Sequence, residues 1–170
     1  THLILLVFLV QGHPLDSVVY HLAPASRFEV TTGKSGLFGF AGHEHTIRAR
    51  AFSGRIVYRP DSIAASHIEI TVLTDSLEVL TPPDTEEIRK VTASMRTEVL
   101  DVANYPEIRL VSQRITGDAR HLELIAALTL KGQTREVPIT VELDVGSDTL
   151  SASSSFAIKQ TDFGIRPYRG

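Results

Sequence analysis

The stretch FGFAGHEHTIRARAFSG, residues 38–54, places two histidines one residue apart, His43 and His45, between an aromatic–glycine run and an arginine-rich one. On a strand, residues i and i+2 project to the same face, so both imidazoles could reach one metal ion while Glu44 points away. A catalytic zinc also needs a third protein ligand and an open position. His67 and His121 are candidates for that ligand, but spacing ties neither to the pair. The residues alone leave three readings open: a metal site, polar groups that meet a ligand headgroup, and a structural or surface pair.

Other chemical signatures are weaker. GKSG resembles part of a phosphate loop, but that motif needs a glycine five residues before the Gly–Lys pair, and position 28 is Phe. GLFGFAG has glycines at 36, 39 and 42, which is not the dinucleotide-binding spacing, and a strand rather than a helix follows it. There is no G-x-S-x-G and no H-E-x-x-H. The chain has no cysteine, which excludes a thiolate nucleophile, a disulfide framework and any Cys-based zinc site. These absences count against an enzyme without excluding one; the expectation carried forward is a protein that is not an enzyme and needs no cofactor or resident metal.

The elements that must position these residues follow mostly a period of two. Phe28 and Val30 alternate with Arg27 and Glu29, and Ile68, Ile70 and Val72 alternate with His67, Glu69 and Thr71. Ile108 and Leu110 continue the pattern, as do alternate positions from Leu122 to Leu130 and from Val137 to Val145. This is the signature of antiparallel strands with one buried and one wet face. Turn residues at 33–36, 59–61, 117–118, 131–133 and 146–148 separate them.

One segment departs from the rhythm. After Pro82 and Pro83, Asp84 is a plausible N-cap with Glu87 completing a capping box, and Ile88, Val91 and Met95 fall on one helical face. The expected fold is all-β: an antiparallel barrel with one or two short helices inserted between strands.

At 170 residues the chain suits one domain. The net charge of −3, with acids and bases interspersed, gives no basic stripe for nucleic acid. Residues 3–10, LILLVFLV, are too short to span a membrane as a helix and read as the apolar region of a secretory leader, with Val10 and Gly12 as small residues near a cleavage site. The alternative is a buried first strand. On the leader reading, residues 1–12 are a signal-peptide remnant, residues 13–170 form the single domain, and the protein is periplasmic or secreted.

The order of three segments carries a resemblance. MRTEVLDVANYPEIRLVSQRI, LTLKGQTREVPITVEL and FAIKQTDFGI, preceded by YHLAPASRFEVTTG, resemble the YceI-like family of polyisoprenoid-binding proteins over residues 20–168. The resemblance implies a lipocalin-like barrel holding an isoprenoid, quinone-like or other amphipathic lipid, with no catalytic residues. It also implies an exported protein, and a homodimer and transient membrane contact for lipid exchange are compatible with it. Ala23–Pro24 stands where relatives commonly carry an aspartate before the proline, and GHEHTIRA is richer in histidine than the common pattern. Relatives continue through at least one more strand after the DFGI segment, so an open barrel edge is expected here.

On that reading the ligand meets Phe28, Val30, Phe38 and Phe40 on early strands and Phe156, Ile158 and Phe163 late in the chain. His43, His45 and Arg48 are the candidates for a headgroup at the mouth, although Arg48, Arg50 and Arg55 also suit a solvated face. Two other classes remain: a metal-dependent enzyme using His43 and His45, and an interaction domain whose barrel is filled by its own side chains.

Overall fold

The computed structural model describes residues 17–33, 44–80 and 85–166 in full, and of residues 2–9 the backbone. The strands are β1 (His2–Leu9), β2 (Val18–Leu22), β3 (Arg27–Thr32), β4 (His45–Ala49), β5 (Phe52–Tyr58), β6 (His67–Leu73) and β7 (Leu77–Val79). After helix α1 (Thr85–Ser94) and a wider π turn (Met95–Val99) come β8 (Glu107–Gly117), β9 (His121–Leu130), β10 (Gln133–Val145) and β11 (Thr149–Ser155). A short 3-10 turn, Gln160–Phe163, follows.

All the strand pairings are antiparallel, as the alternating pattern predicts. The ladder runs β11–β10–β9–β8–β6–β5–β2–β1, and β1 also pairs with β11, so these eight strands return on themselves as a barrel. The wall forks at β1. One edge of β1 pairs with β2 through residues 7–9 and with β3 through Leu3 and Ile4. From that fork β3, β4 and β7 extend as a separate flap. The rings of Phe28 on β3 and Phe52 on β5 meet across it with centroids 4.9 Å apart.

The inward faces are those the alternation marks. Leu122, Leu124, Ala126, Leu128 and Leu130 are buried along β9, and Val137, Ile139, Val141 and Leu143 along β10. Val145, at the end of that pattern, is 40% exposed. On β8 a bulge between Ser112 and Arg114 shifts the register, so burial passes from Leu110 and Ser112 to Ile115. Helix α1 and the π turn after it lay Val91 and Met95 against the core with Ile88 beside them, as their spacing predicts. Asp84, the expected N-cap, lies outside the described residues.

Two turns show why their residues are needed. The β9–β10 hairpin has a two-residue loop, Lys131–Gly132, with φ of 49° and 72°. Both are left-handed, as a type I′ turn requires. Gly132 is doubly constrained, because a Cβ there would lie 2.6 Å from the ring of Tyr105. Tyr105 is held in turn: its N–H donates to the Asp101 carbonyl at 2.9 Å, and its own carbonyl accepts from the Thr74 hydroxyl at 2.8 Å. The Asn–Tyr–Pro lead-in to β8 and the Lys–Gly hairpin are therefore one packed unit.

The segment that reads as a leader takes the position of a wall strand here. Residues 2–8 pair residue by residue with Ser155 to Thr149 of β11. This matches the alternative reading of a first strand, and it covers the β11 edge that the sequence comparison leaves open.

Candidate functional site

The barrel is packed at one end and hollow at the other. In the packed half Ile56, Ile68, Leu122, Leu124, Ile139 and Leu150 converge around a gap of about 30 Å³, the room of a single water. Towards the fork the interior widens into a cavity of about 570 Å³, within the range of small-molecule sites. The same strands serve both halves: Ile68 of β6 faces the packed end, Ile70 lies between the two and Val72 faces the hollow, while β9 passes from Leu122 and Leu124 to Leu128 and Leu130.

The flap, the helix and the strap after β11 supply the remaining walls. Ile47 and Ala49 face the cavity from β4 and Leu77 from β7. Met95 and Leu100 close it from the helical segment. Residues 156–161, with the fully buried Ile165, line its mouth. Val30 and Ile158 sit on the rim and are 40% and 37% exposed, so the cavity reaches solvent between apolar side chains.

Among the described lining residues two carry charge, Glu29 and Lys159. The Glu29 carboxylate is occupied: it accepts from Arg48 Nε at 2.8 Å and from Arg48 Nη2 at 2.6 Å. Lys159 is exposed to solvent. Gln160 is the other notable polar side chain, with its Oε1 buried and without a hydrogen-bond partner among the described residues.

Four of the residues marked from sequence, Phe28, Val30, Phe156 and Ile158, line this cavity together. Phe38, Phe40 and His43 lie outside the described residues. Arg48 faces away from Ile47 and Ala49 and is tied to Glu29. His45 is buried at 1% exposure, and its backbone N–H donates to the Thr32 hydroxyl at 3.1 Å. Phe163 is buried at 2% beside the cavity rather than on its surface.

Sequence reasoning did not mark Ala49, Leu77, Met95 and Gln160, which also line the cavity. The first three carried a signal, since each stands on an apolar face, but that signal does not separate a wall facing a cavity from one facing packed neighbours. Among the described residues no group of three His, Asp or Glu side chains is spaced to hold a metal ion. Two groups with ionisation shifted by the fold lie away from the cavity. Burial, with Tyr58 nearby, raises the Tyr20 phenol. The backbone N–H groups of Arg120 and then His121 lower the Asp118 carboxyl, with bonds of 2.8 and 2.9 Å.

Comparison with known proteins agrees with this architecture. A curated UPF0312 protein of Enterobacter sp. (strain 638) is 26% identical over 122 residues, covering 67% of this chain and 59% of that protein's own length. The crystal structure of BcnA from Burkholderia cenocepacia superposes with a TM-score of 0.63 at 19% identity, over 71% of this chain and 72% of that one. A polyisoprenoid-binding domain from Saccharophagus degradans, implicated in plant cell wall breakdown, superposes with a TM-score of 0.55 at 14% identity, over 96% of this chain and 76% of that one. At such identities the structural matches establish the fold. The model of the YceI-like domain matches residues 20–169, and the chain belongs to that family.

Proposed function

We propose that this protein binds a long-chain isoprenoid or similar amphipathic lipid in the hollow half of its barrel, holding it for storage or transfer rather than transforming it. The observation that carries the reading is the cavity of about 570 Å³, walled by Val72, Leu77, Leu128, Leu130 and Met95. A methylene group is comparable in size to a water, whose liquid share is about 30 Å³, so the cavity takes roughly 19 such groups, or about four isoprene units. Burying each is worth about 0.8 kcal/mol, roughly 15 kcal/mol gross. Association costs about 4–15 kcal/mol, so tight binding requires most of the cavity to be filled. A long prenyl chain meets that condition and a short polar metabolite does not.

The exposed rim residues Val30 and Ile158 suit transient contact with a membrane during exchange. We place the protein outside the cytoplasm, with residues 2–9 retained as the wall strand β1 on which the barrel and its cavity depend. Native mass spectrometry of the purified protein, followed by organic extraction, tests the binding reading. An increment of several hundred daltons, lost on extraction and identified as a prenyl lipid, supports it. A protein that takes up no such lipid when offered one overturns it. N-terminal sequencing of exported protein tests this placement: retention of residues 2–9 supports it, and a start near residue 13, which removes β1, overturns it.

A further inference from the structure

The cavity has a floor as well as a mouth. We infer that the cross-strand pair Ile70 and Leu110 stops the tail of the lipid there, so that the protein selects chains by their number of isoprene units. The inference rests on the proposed lipid-binding function and goes on to name the residues that set its length limit.

Among the described residues, Ile70 and Leu110 alone border both the gap of about 30 Å³ in the packed half and the cavity of about 570 Å³. They stand directly opposite one another on β6 and β8. Ala126 of β9, one row further towards the packed end and fully buried, borders neither void, so packed atoms continue the partition. The backbone beneath the pair is pinned. The ladder between β6 and β8 ends at Glu69 and Val111, and the Ser112 hydroxyl extends it by accepting from the Ile68 N–H at 2.9 Å. Ile70 is also β-branched and stiff at χ1, so the floor yields little to a tail pressed on it.

The walls at this depth are Val72, Leu110 and Leu128. A hydroxyl carried down to them would be buried without a partner, so the chain enters tail first. The gap beyond the floor has the room of one water and cannot take a further five-carbon unit. A fifth isoprene unit therefore stays at the mouth, in water, and adds no affinity. Leu110→Ala removes three carbons and joins the two voids, which makes room for about four more ligand carbons, close to one isoprene unit.

The test titrates the whole chain with farnesol, geranylgeraniol and geranylfarnesol, of three, four and five isoprene units, by displacement of a fluorescent apolar reporter. The natural chain is expected to bind geranylfarnesol no more tightly than geranylgeraniol. Leu110→Ala should bind geranylfarnesol about a hundredfold more tightly than geranylgeraniol, the worth of about four newly buried carbons. Leu110→Phe raises the floor by three carbons and should weaken geranylgeraniol about 50-fold but farnesol less than about threefold. Melting temperatures are read beside the titrations, because Leu110→Ala also loses packing, and Leu110→Phe carries the test if that variant does not fold. Ile139→Val, in the packed half, should lower the melting temperature and keep the natural length preference. Tighter binding of geranylfarnesol by the natural chain, a preference unmoved in the folded Leu110 variants, or an equal shift in Ile139→Val would each overturn this inference while leaving lipid binding intact. Failure of all three alcohols to bind the natural chain would overturn both.

Discussion

Filling part of the cavity should shorten the chain it accepts, and Ala49 is the place to do it. Ala49 faces the cavity from β4, opposite Leu77 of β7 in register, in a flap that is not part of the closed barrel. Ala49→Leu adds three carbons to the cavity wall, and by the water-volume comparison these displace about three methylene groups of ligand. At about 0.8 kcal/mol each the loss is roughly 2.4 kcal/mol, or about 50-fold in Kd, for a chain that fills the cavity. A chain one isoprene unit shorter leaves that space free and should lose less than about threefold. The assay is a pair of titrations, geranylgeraniol against farnesol, for both proteins. Thermal melting without lipid is the control, and the added apolar surface should not lower the Tm. Parallel losses for the two alcohols, or no loss for either with the fold intact, would show that the ligand lies elsewhere.

Gly132→Ala should destabilise the fold by about 2–3 kcal/mol in urea unfolding, from a left-handed alanine and a Cβ pressed 2.6 Å from the Tyr105 ring. Combining it with Tyr105→Ala should cost less than the sum of the two single changes, because the clash is then absent. For Asp118 the folded carboxyl titrates below its ordinary value. Its contribution is therefore present above about pH 4 and lost as pH falls through the folded value. The urea midpoint of Asp118→Ala should thus lie below the natural protein's at pH 7 and approach it near pH 2. A gap of equal size at both pH values would refute the capping role of the carboxylate. A chain shortened to residues 13–170 frees the β11 edge that β1 covers. Free edges recruit other strands, so sedimentation should show more self-association than residues 1–170 display at equal concentration.

The legible parts of this fold are those set by local chemistry. Alternation along β6, β9 and β10 gave strand identity and inward face together, because a strand wet on one side must place its apolar residues two apart. The helix was legible for the parallel reason: Ile88, Val91 and Met95 can share a face only at helical spacing. The bulge on β8 was not, since nothing in SQRI says which residue is left over when Ser112 and Arg114 take adjacent partners. Residues 3–10 show the deeper ambiguity, because a continuous apolar run suits a leader and a buried strand equally, and only the register with β11 distinguishes the strand. Phe28, Val30, Phe156 and Ile158 were legible as cavity lining because they are apolar residues of the early strands and of the late segment, which the family resemblance sets against the barrel interior. Arg48 was misleading because its partner Glu29 lies on a strand 19 positions earlier, visible only once β3 and β4 are aligned.

The hollow and the length of chain it can take have one origin. An eight-stranded barrel has just enough interior for side chains to fill, and the packed half does so with branched residues from opposing strands. At the fork β2 is replaced by β3 along the edge of β1, and β3, β4 and β7 swing out as a flap. The wall there encloses more width than the same inward residues can fill, so Val72, Leu128 and Leu130 face space instead of neighbours. Such a hollow must be capped without being filled, and the chain caps it with a strap outside the sheet. Depth and length limit therefore follow from where the sheet divides. Substitutions that tighten the fork at Phe28 and Phe52 should alter both together, whereas changes in the packed half should alter stability alone.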